Sequence, residues 1–298
     1  MKKYLMLLII LFWTHPDWAD PIAWPYLPAI DYLRGTTGER LFFSHFSPEK
    51  GQRFFNNDLR YYHFNRYLDP NGNEHHFNSH SRFINIFSIN WVLSTRTEIS
   101  TRIPMIRIKN NEEEEYRSSN AGLGDLLFQF KYRVLQSAHH QFALSVATGF
   151  KLPANSFLTA NEEALPLGTE TFDIPLILNT DFYFKTIRCF FDVAYITPVY
   201  DLSDLVMWTG DEVFAELVLL KALNQSLAAK IEINYVYVYN YYEMYKTTLT
   251  PGIIFTSRSK ALKIELGWAR DIAGQYVFYG MSPVVRFHYQ LSNGRQCD

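Results

Sequence analysis

Leu123-Gly124-Asp125-Leu126-Leu127-Phe128-Gln129-Phe130-Lys131-Tyr132-Arg133-Val134 is the stretch on which the fold turns. Leu126, Phe128, Phe130, Tyr132 and Val134 stand two residues apart, and Asp125, Gln129, Lys131 and Arg133 lie between them. Successive side chains of a strand point to opposite faces, so this segment has an oily side and a charged side. A strand of a soluble sandwich has the same two sides, and one segment settles nothing. Repetition of the pattern along the chain, in segments of roughly ten residues, is what a transmembrane antiparallel β-barrel requires.

The repetition is there. Phe142, Leu144, Val146 and Phe150 oppose Gln141, Ala143, Ser145, Ala147 and Lys151. Phe172, Ile174, Leu176, Leu178, Phe182 and Phe184 oppose Thr171, Asp173, Asn179 and Asp181. Ile231, Ile233, Tyr235, Tyr237, Tyr239 and Tyr241 oppose Lys230, Glu232, Asn234 and Asn240. Val285, Phe287, Tyr289 and Leu291 oppose Arg286, His288 and Gln290. Strands are predicted near 56–68, 79–92, 96–108, 122–135, 140–152, 171–184, 188–200, 211–223, 227–240, 247–257, 261–271 and 277–291. That makes about twelve, the even number expected of a single-chain bacterial up-and-down barrel. The first two alternate poorly, so their register is left open.

The connections sort by parity. The odd ones, Asp69–Asn78, Lys109–Ala121, Pro153–Glu170, Asp201–Gly210, Tyr241–Lys246 and Ile272–Tyr276, are mostly long. The even ones, Leu93–Thr95, Gln136–His139, Lys185–Ile187, Asn224–Ser226 and Arg258–Lys260, are short. A soluble meander has no reason for this, whereas a membrane barrel has short periplasmic turns and longer outer loops.

Composition agrees with an all-β reading. The 298 residues include 24 Phe and 20 Tyr, enrichment that suits aromatic girdles and would also suit a carbohydrate-binding β-protein. A formal net charge of -2 and the absence of a Lys/Arg-rich run argue against a nucleic-acid partner. Two cysteines, Cys189 and Cys297, cannot form a disulfide framework.

At the N-terminus, Lys2 and Lys3 precede the apolar run Tyr4–Trp13, which is too short to span a bilayer as a helix and reads as a signal peptide. The expected organisation is a signal peptide over 1–19, cleaved near Ala19–Asp20, a Pro- and aromatic-rich segment over 20–53, a barrel over 54–291 and a tail over 292–298. The 20–53 segment reads as a periplasmic lead-in that packs partly on the barrel, or as a plug within it. The aromatic last strand is the kind that barrel-assembly machinery recognises, although here the tail Ser292–Asp298 follows it.

Gly122-Leu123-Gly124-Asp125, followed by Phe130-Lys131-Tyr132-Arg133, resembles the Gly-x-Gly-Asp and Lys-Tyr-Arg signature of the meta-pathway phenol degradation family, a group of transporter-like outer-membrane barrels. Thr148-Gly149-Phe150-Lys151-Leu152-Pro153 is similar to the same family's Thr-Gly-x-Lys-Leu-Pro segment, and Trp91–Ile99 to its short-turn segment. Ala154-Asn155 stands where the family has Thr-Gly or Ser-Gly. The resemblance covers about residues 56–291. It implies localisation in the bacterial outer membrane and passage of small, often aromatic, solutes, and it brings no catalytic set.

If the charged face is the wall of a hydrated lumen, the lining candidates are Arg96, Glu98, Arg102, Asp125, Lys131, Arg133, Lys151, Asp181, Arg188, Asp192, Glu216, Lys230, Glu232, Lys263, Glu265 and Arg286. Both signs are represented, which predicts a weakly selective channel or, as the favoured reading, a cross-linked network that narrows the bore, where a one-signed wall would predict ion selectivity. Gly122 and Gly124 suit a bulge or tight bend at a strand start, with Asp125 paired to Lys131 or Arg133. Glu112–Glu115 reads as a solvated loop run, with cation bridging to lipopolysaccharide as the sharper alternative. His75, His76, His80, His139 and His140 lack partner ligands at metal spacing, so no metal and no cofactor are expected. A lipid hydrolase needs Ser, His and Asn or Asp together; His80 and His288 have no Ser two residues away, and a cross-strand triad stays open. The reading is therefore a non-enzymatic channel or transporter barrel, with a structural or surface-interaction barrel as the alternative.

Overall fold

The computed structural model describes residues 51–68, 74–110, 118–137, 141–153, 171–184, 187–201, 211–239, 244–259, 261–275 and 277–291. They form thirteen strands: β1 (Arg53–Leu68), β2 (Glu74–Val92), β3 (Thr97–Asn110), β4 (Ser118–Leu123), β5 (Leu126–Gln136), β6 (Phe142–Leu152), β7 (Thr171–Phe184), β8 (Ile187–Asp201), β9 (Asp211–Asn224), β10 (Leu227–Tyr239), β11 (Met244–Thr256), β12 (Leu262–Gln275) and β13 (Val277–Leu291). The expected signal peptide over 1–19, nearly all of the 20–53 segment, the tail, Glu112–Glu115, His139 and His140 lie outside the described residues.

Alternation decides how these strands assemble. In β7, Asp173, Asn179 and Asp181 are buried, while Ile174, Leu176 and Leu178 are 40%, 57% and 44% exposed. Such a strand is inside out relative to a water-soluble core. The sandwich alternative would bury Phe130, which is 45% exposed. Phe128 and Phe150 stack at 5.2 Å between ring centroids, and Phe142 and Phe182 meet at 5.0 Å, both pairs on the outer surface.

Every neighbouring pair of strands is antiparallel, and β1 pairs with both β2 and β13, so the sheet closes on itself. The pairing of β1 with β13 runs from Arg53↔Leu291 to Leu68↔Val277. Closure removes the edge strands that would otherwise recruit another chain. β4 and β5 both pair with β3 and run in the same direction, so thirteen strands make twelve staves.

The break between β4 and β5 is a bulge. Met105 faces Leu123 and Arg102 faces Leu127, so Ile103 and Pro104 oppose three residues, Gly124, Asp125 and Leu126. Gly124 N–H donates to the Pro104 carbonyl at 2.9 Å. The extra residue restores the face on which Leu127, Gln129, Lys131 and Arg133 point inward.

Two prolines interrupt the ladder elsewhere, as expected of a residue without an amide proton. The β6–β7 pairing stops at Thr148↔Leu176 and resumes at Lys151↔Asp173, across Pro175. Thr148 Oγ1 donates to the Pro175 carbonyl at 2.9 Å instead. The β11–β12 pairing skips from Leu249↔Arg270 to Gly252↔Gly267, across Pro251.

The parity of the connections is weaker than the sequence predicts. The spans 111–117, 153–170 and 202–210 remain long, but 69–73, 240–243 and 276 are as short as the turns at the other end. Strand β2 begins at Glu74 instead of 79, β11 at Met244 instead of 247, and β12 runs to Gln275 instead of 271. A strand that continues beyond the apolar belt needs no oily face, so periodicity cannot show where it ends.

Candidate functional site: the charged barrel interior

Inward positions carry most of the charge. Arg102, Arg188 and Arg286 are among the largest fully buried side chains, and Glu98, Lys131, Arg133, Lys151, Asp181, Asp192, Glu216, Lys230, Glu232, Lys263 and Glu265 are buried as well. Asp125 sits at the bulge with its side chain 7% exposed. Arg96 departs from the predicted wall position. It is exposed and belongs to the β2–β3 turn, where Leu93 N–H and Ser94 N–H both donate to the Thr97 carbonyl. That turn takes four residues rather than three, which leaves Arg96 flanking a hollow at the barrel end beside Glu98, Lys131 and Arg133.

Ionic groups recur along the interior among the described residues. The largest joins β1, β10, β12 and β13. Asp58 accepts from Arg60 Nε at 2.9 Å and from Arg286 Nε at 3.0 Å, and Arg286 reaches Glu232 at 3.1 Å and also contacts Glu265. Lys230 Nζ donates to Glu265 at 2.9 Å and lies 2.5 Å from Glu232. Removing such charges from water is costly, and the network offsets that cost by giving each ion opposite neighbours.

The second group lies at the short-turn end. Arg188 Nε and Nη2 fork onto the two oxygens of Asp181 at 3.2 and 2.7 Å, with the guanidinium 4.1 Å from the Phe190 ring centre. Lys131 and Arg133 are within electrostatic reach of Asp181, and Glu98 is the ladder partner of Lys131. A third group lies toward the other end, where Lys151 bridges Asp173 and, at 3.5 Å, Asp125.

Several interior residues were not among the sequence candidates. Asp58, Arg60, Asp173 and Asp271 are buried charges; Asp271 takes Thr248 Oγ1 at 2.7 Å and Lys246 Nζ at 3.2 Å. Asp58 and Arg60 sit on β1, whose outward face includes Asn57; Asn57 bonds Asn85 of β2 at 2.7 Å, so an outward polar pair hides the alternation. Inward Tyr62, Ile84 and Ile86 blur it from the other side.

The interior also holds apolar surface. Leu127, Ala147, Ile177, Ala194, Phe214 and Val236, one from each of β5 to β10, form one buried arc. Phe190, Val218, Leu220, Ala228 and Ile254 form another. Periodicity assigned the charged face to the inside but could not show that apolar residues share it.

Ser88, Asn56 and His288 do not make a cross-strand hydrolase triad. His288 Nδ1 lies 2.5 Å from Asn56 Oδ1, and Asn56 Nδ2 donates to Ser88 Oγ at 3.3 Å. Asparagine separates the other two, so the imidazole is not placed to take the hydroxyl proton.

No family model matches the chain, and no curated protein does. Among solved structures, the COG4313 outer membrane channel from Pseudomonas putida F1 superposes with a TM-score of 0.70 at 11% identity, over 83% of this chain and 98% of that one. The NanC porin gives a TM-score of 0.51 at 8% identity, over 79% of this chain and 100% of the other. The likeness is one of fold.

Proposed function

We propose that the protein is an outer-membrane channel for small, apolar or aromatic solutes. One observation carries the reading: a closed cylinder with an apolar exterior encloses a lining in which charged clusters and a continuous apolar arc lie side by side. The exterior suits lipid and the charged lining suits water. The arc on β5 to β10 gives an aromatic solute a foothold that a uniformly charged bore lacks. The resemblance to phenol-degradation barrels and the fold shared with a channel support the same reading.

In this reading the signal over 1–19 directs export, barrel-assembly machinery inserts the chain through its last strand, and both termini lie in the periplasm. Lipid and lipopolysaccharide surround the belt. The buried interior charges act as the lumen wall, and no cofactor or nucleic acid takes part.

A second reading, a structural or surface-interaction barrel with a closed lumen, is favoured by a different observation. Interior ions such as Arg188, Glu216, Lys230 and Arg286 are at most 1% exposed. Planar-bilayer conductance and liposome swelling with phenol-sized solutes separate the two. Solute-dependent swelling supports the channel. Absence of both conductance and swelling, with residues 20–50 deleted as well, rejects it.

A further inference from the structure

We infer that the hollow at the short-turn end of the barrel is a binding site for the acid group of a small organic anion of the carboxylate class. Val92, the β2–β3 turn, Lys131 and Arg133 of β5 and Ser145 of β6 line it. The turn residues Thr95 and Arg96 are exposed and form its rim, while Glu98, Lys131, Arg133 and Ser145 are buried behind them. These residues come from neighbouring strands and line one space, so no reach across the bore is needed. The hollow has a volume of about 10 Å³, enough for roughly one water-sized group. A ligand would place a charged oxygen there and keep the rest of its body outside.

The ladder explains why an anion belongs here. Arg133 N–H donates to the Arg96 carbonyl at 2.8 Å, one step beyond the Thr97↔Tyr132 pair, so two arginines stand side by side. Like charges in that relation are disfavoured unless something of opposite sign joins them. Glu98, two residues further in, is the ladder partner of Lys131, and Ser145 is that of Arg133. The lining therefore carries three cations, one carboxylate and the buried Ser145 hydroxyl. Arg133 has contacts of its own, among them a bond from Nη1 to Gln136 Oε1 at 3.0 Å, and a guanidinium has several N–H groups to share. Arg96 makes no ion pair among the described residues. Its N–H donates to Ser94 Oγ at 3.1 Å, which helps the turn hold it beside the hollow.

The donors select the ligand. Guanidinium groups present a planar fork that fits a carboxylate, and charge-assisted bonds of this kind are short and strong. Glu98 repels a second negative charge, which favours a monoanion over a phosphate. The site deepens the channel reading and rests on it only for the ligand's route: a solute that crosses the bore with an acid group meets these arginines at the mouth.

The test is calorimetric titration of the full-length protein in detergent with sodium benzoate, at neutral pH in chloride-free buffer, with benzamide as the uncharged isostere. Benzoate should bind, and benzamide should bind about tenfold more weakly or worse. Arg96→Gln removes a cation from an exposed turn and should weaken benzoate by about tenfold, and Arg96→Lys should recover part of that loss. Arg53→Gln, at the same end but on the outer face, should change nothing. No binding through the millimolar range, equal affinity for benzoate and benzamide, or equal losses in Arg96→Gln and Arg53→Gln overturns the assignment. Displacement of benzoate by an equal concentration of chloride would mark a plain halide site and overturn the ligand class. A barrel that conducts without binding benzoate loses only this site, and one that binds benzoate without conduction or swelling loses only the channel.

Discussion

Lys230 on β10 and Glu265 on β12 meet at 2.9 Å across the strand that separates them, because the ladder partner of Lys230 on β11 is Gly252. Gly252 in turn faces Gly267 of β12. A Cβ on Gly252 would come within 3.0 Å of the Leu266 carbonyl oxygen, and one on Gly267 within 3.2 Å of that of Pro251. Two glycines thus clear the way for an ion pair that skips a stave.

The pair is expected to matter more when one side alone is removed. Lys230→Met leaves Glu232 and Glu265 buried with one cation fewer, and should cost about 3–5 kcal/mol of barrel stability. Adding Glu265→Gln should recover part of that loss, because it removes one of the two stranded charges. A double-mutant cycle on urea unfolding, followed by the gel-mobility difference between heated and unheated protein, measures the coupling. Equal stability of Lys230→Met and wild type would remove the network from the account of what holds the barrel.

Gly149 is a sharper constraint. A Cβ at this position would lie 1.9 Å from the Phe128 carbonyl oxygen, a backbone atom that cannot swing aside. The neighbouring ladder is already interrupted at Pro175, so the wall has little regular structure there to absorb a shift. Gly149→Ala should destabilise by about 1–3 kcal/mol or block folding, whereas Ala147→Gly two residues away should leave the barrel folded. Refolding yield in detergent, read by heat-modifiable mobility, distinguishes them.

Leu178, near the middle of β7 and 44% exposed, tests the outer belt. Leu178→Arg should cost about 2–4 kcal/mol if that position lies at mid-bilayer depth. Arg53, on the outward face at the start of β1, marks the contrast, since a charge at the barrel end meets headgroups and water. Unfolding from lipid vesicles measures the cost. A Leu178→Arg protein as stable as wild type would mean that this face does not meet lipid.

Much of this was legible in the chain because β7, β10 and β13 obey a simple rule: oily residues at one parity, ions at the other. Twelve staves, their order and most strand bounds follow from that rule and from short turns. It fails where a residue's neighbour, not its period, sets its role. Asn57 is tolerated outside because Asn85 bonds it, and Ile84 is inside because Tyr62 and Ile86 pack with it. Arg96 is lost to a turn one residue longer than expected. The ion pairs that skip strands, such as Arg286 with Glu232, depend on which intervening residues are glycine, and sequence periodicity has no access to that.

Phe214 is the residue on which the proposed passage of aromatic solutes can be tested. It is 1% exposed and is the only aromatic side chain of the apolar arc formed with Leu127, Ala147, Ile177, Ala194 and Val236. If aromatic solutes travel along this arc, Phe214→Asp should suppress liposome swelling by phenol-sized compounds while small-ion conductance persists or rises, because the charged wall is untouched. Phe214→Ala should act in the opposite direction on conductance, since removing the ring leaves a void that widens the bore, at a stability cost of about 3–5 kcal/mol. Phe190, which stacks under Arg188 in the other apolar cluster, is the comparison: Phe190→Ala should weaken the Asp181–Arg188 region without changing aromatic preference. Loss of swelling for polar and aromatic solutes alike in Phe214→Asp would show that the arc shapes the bore without recognising what passes through it.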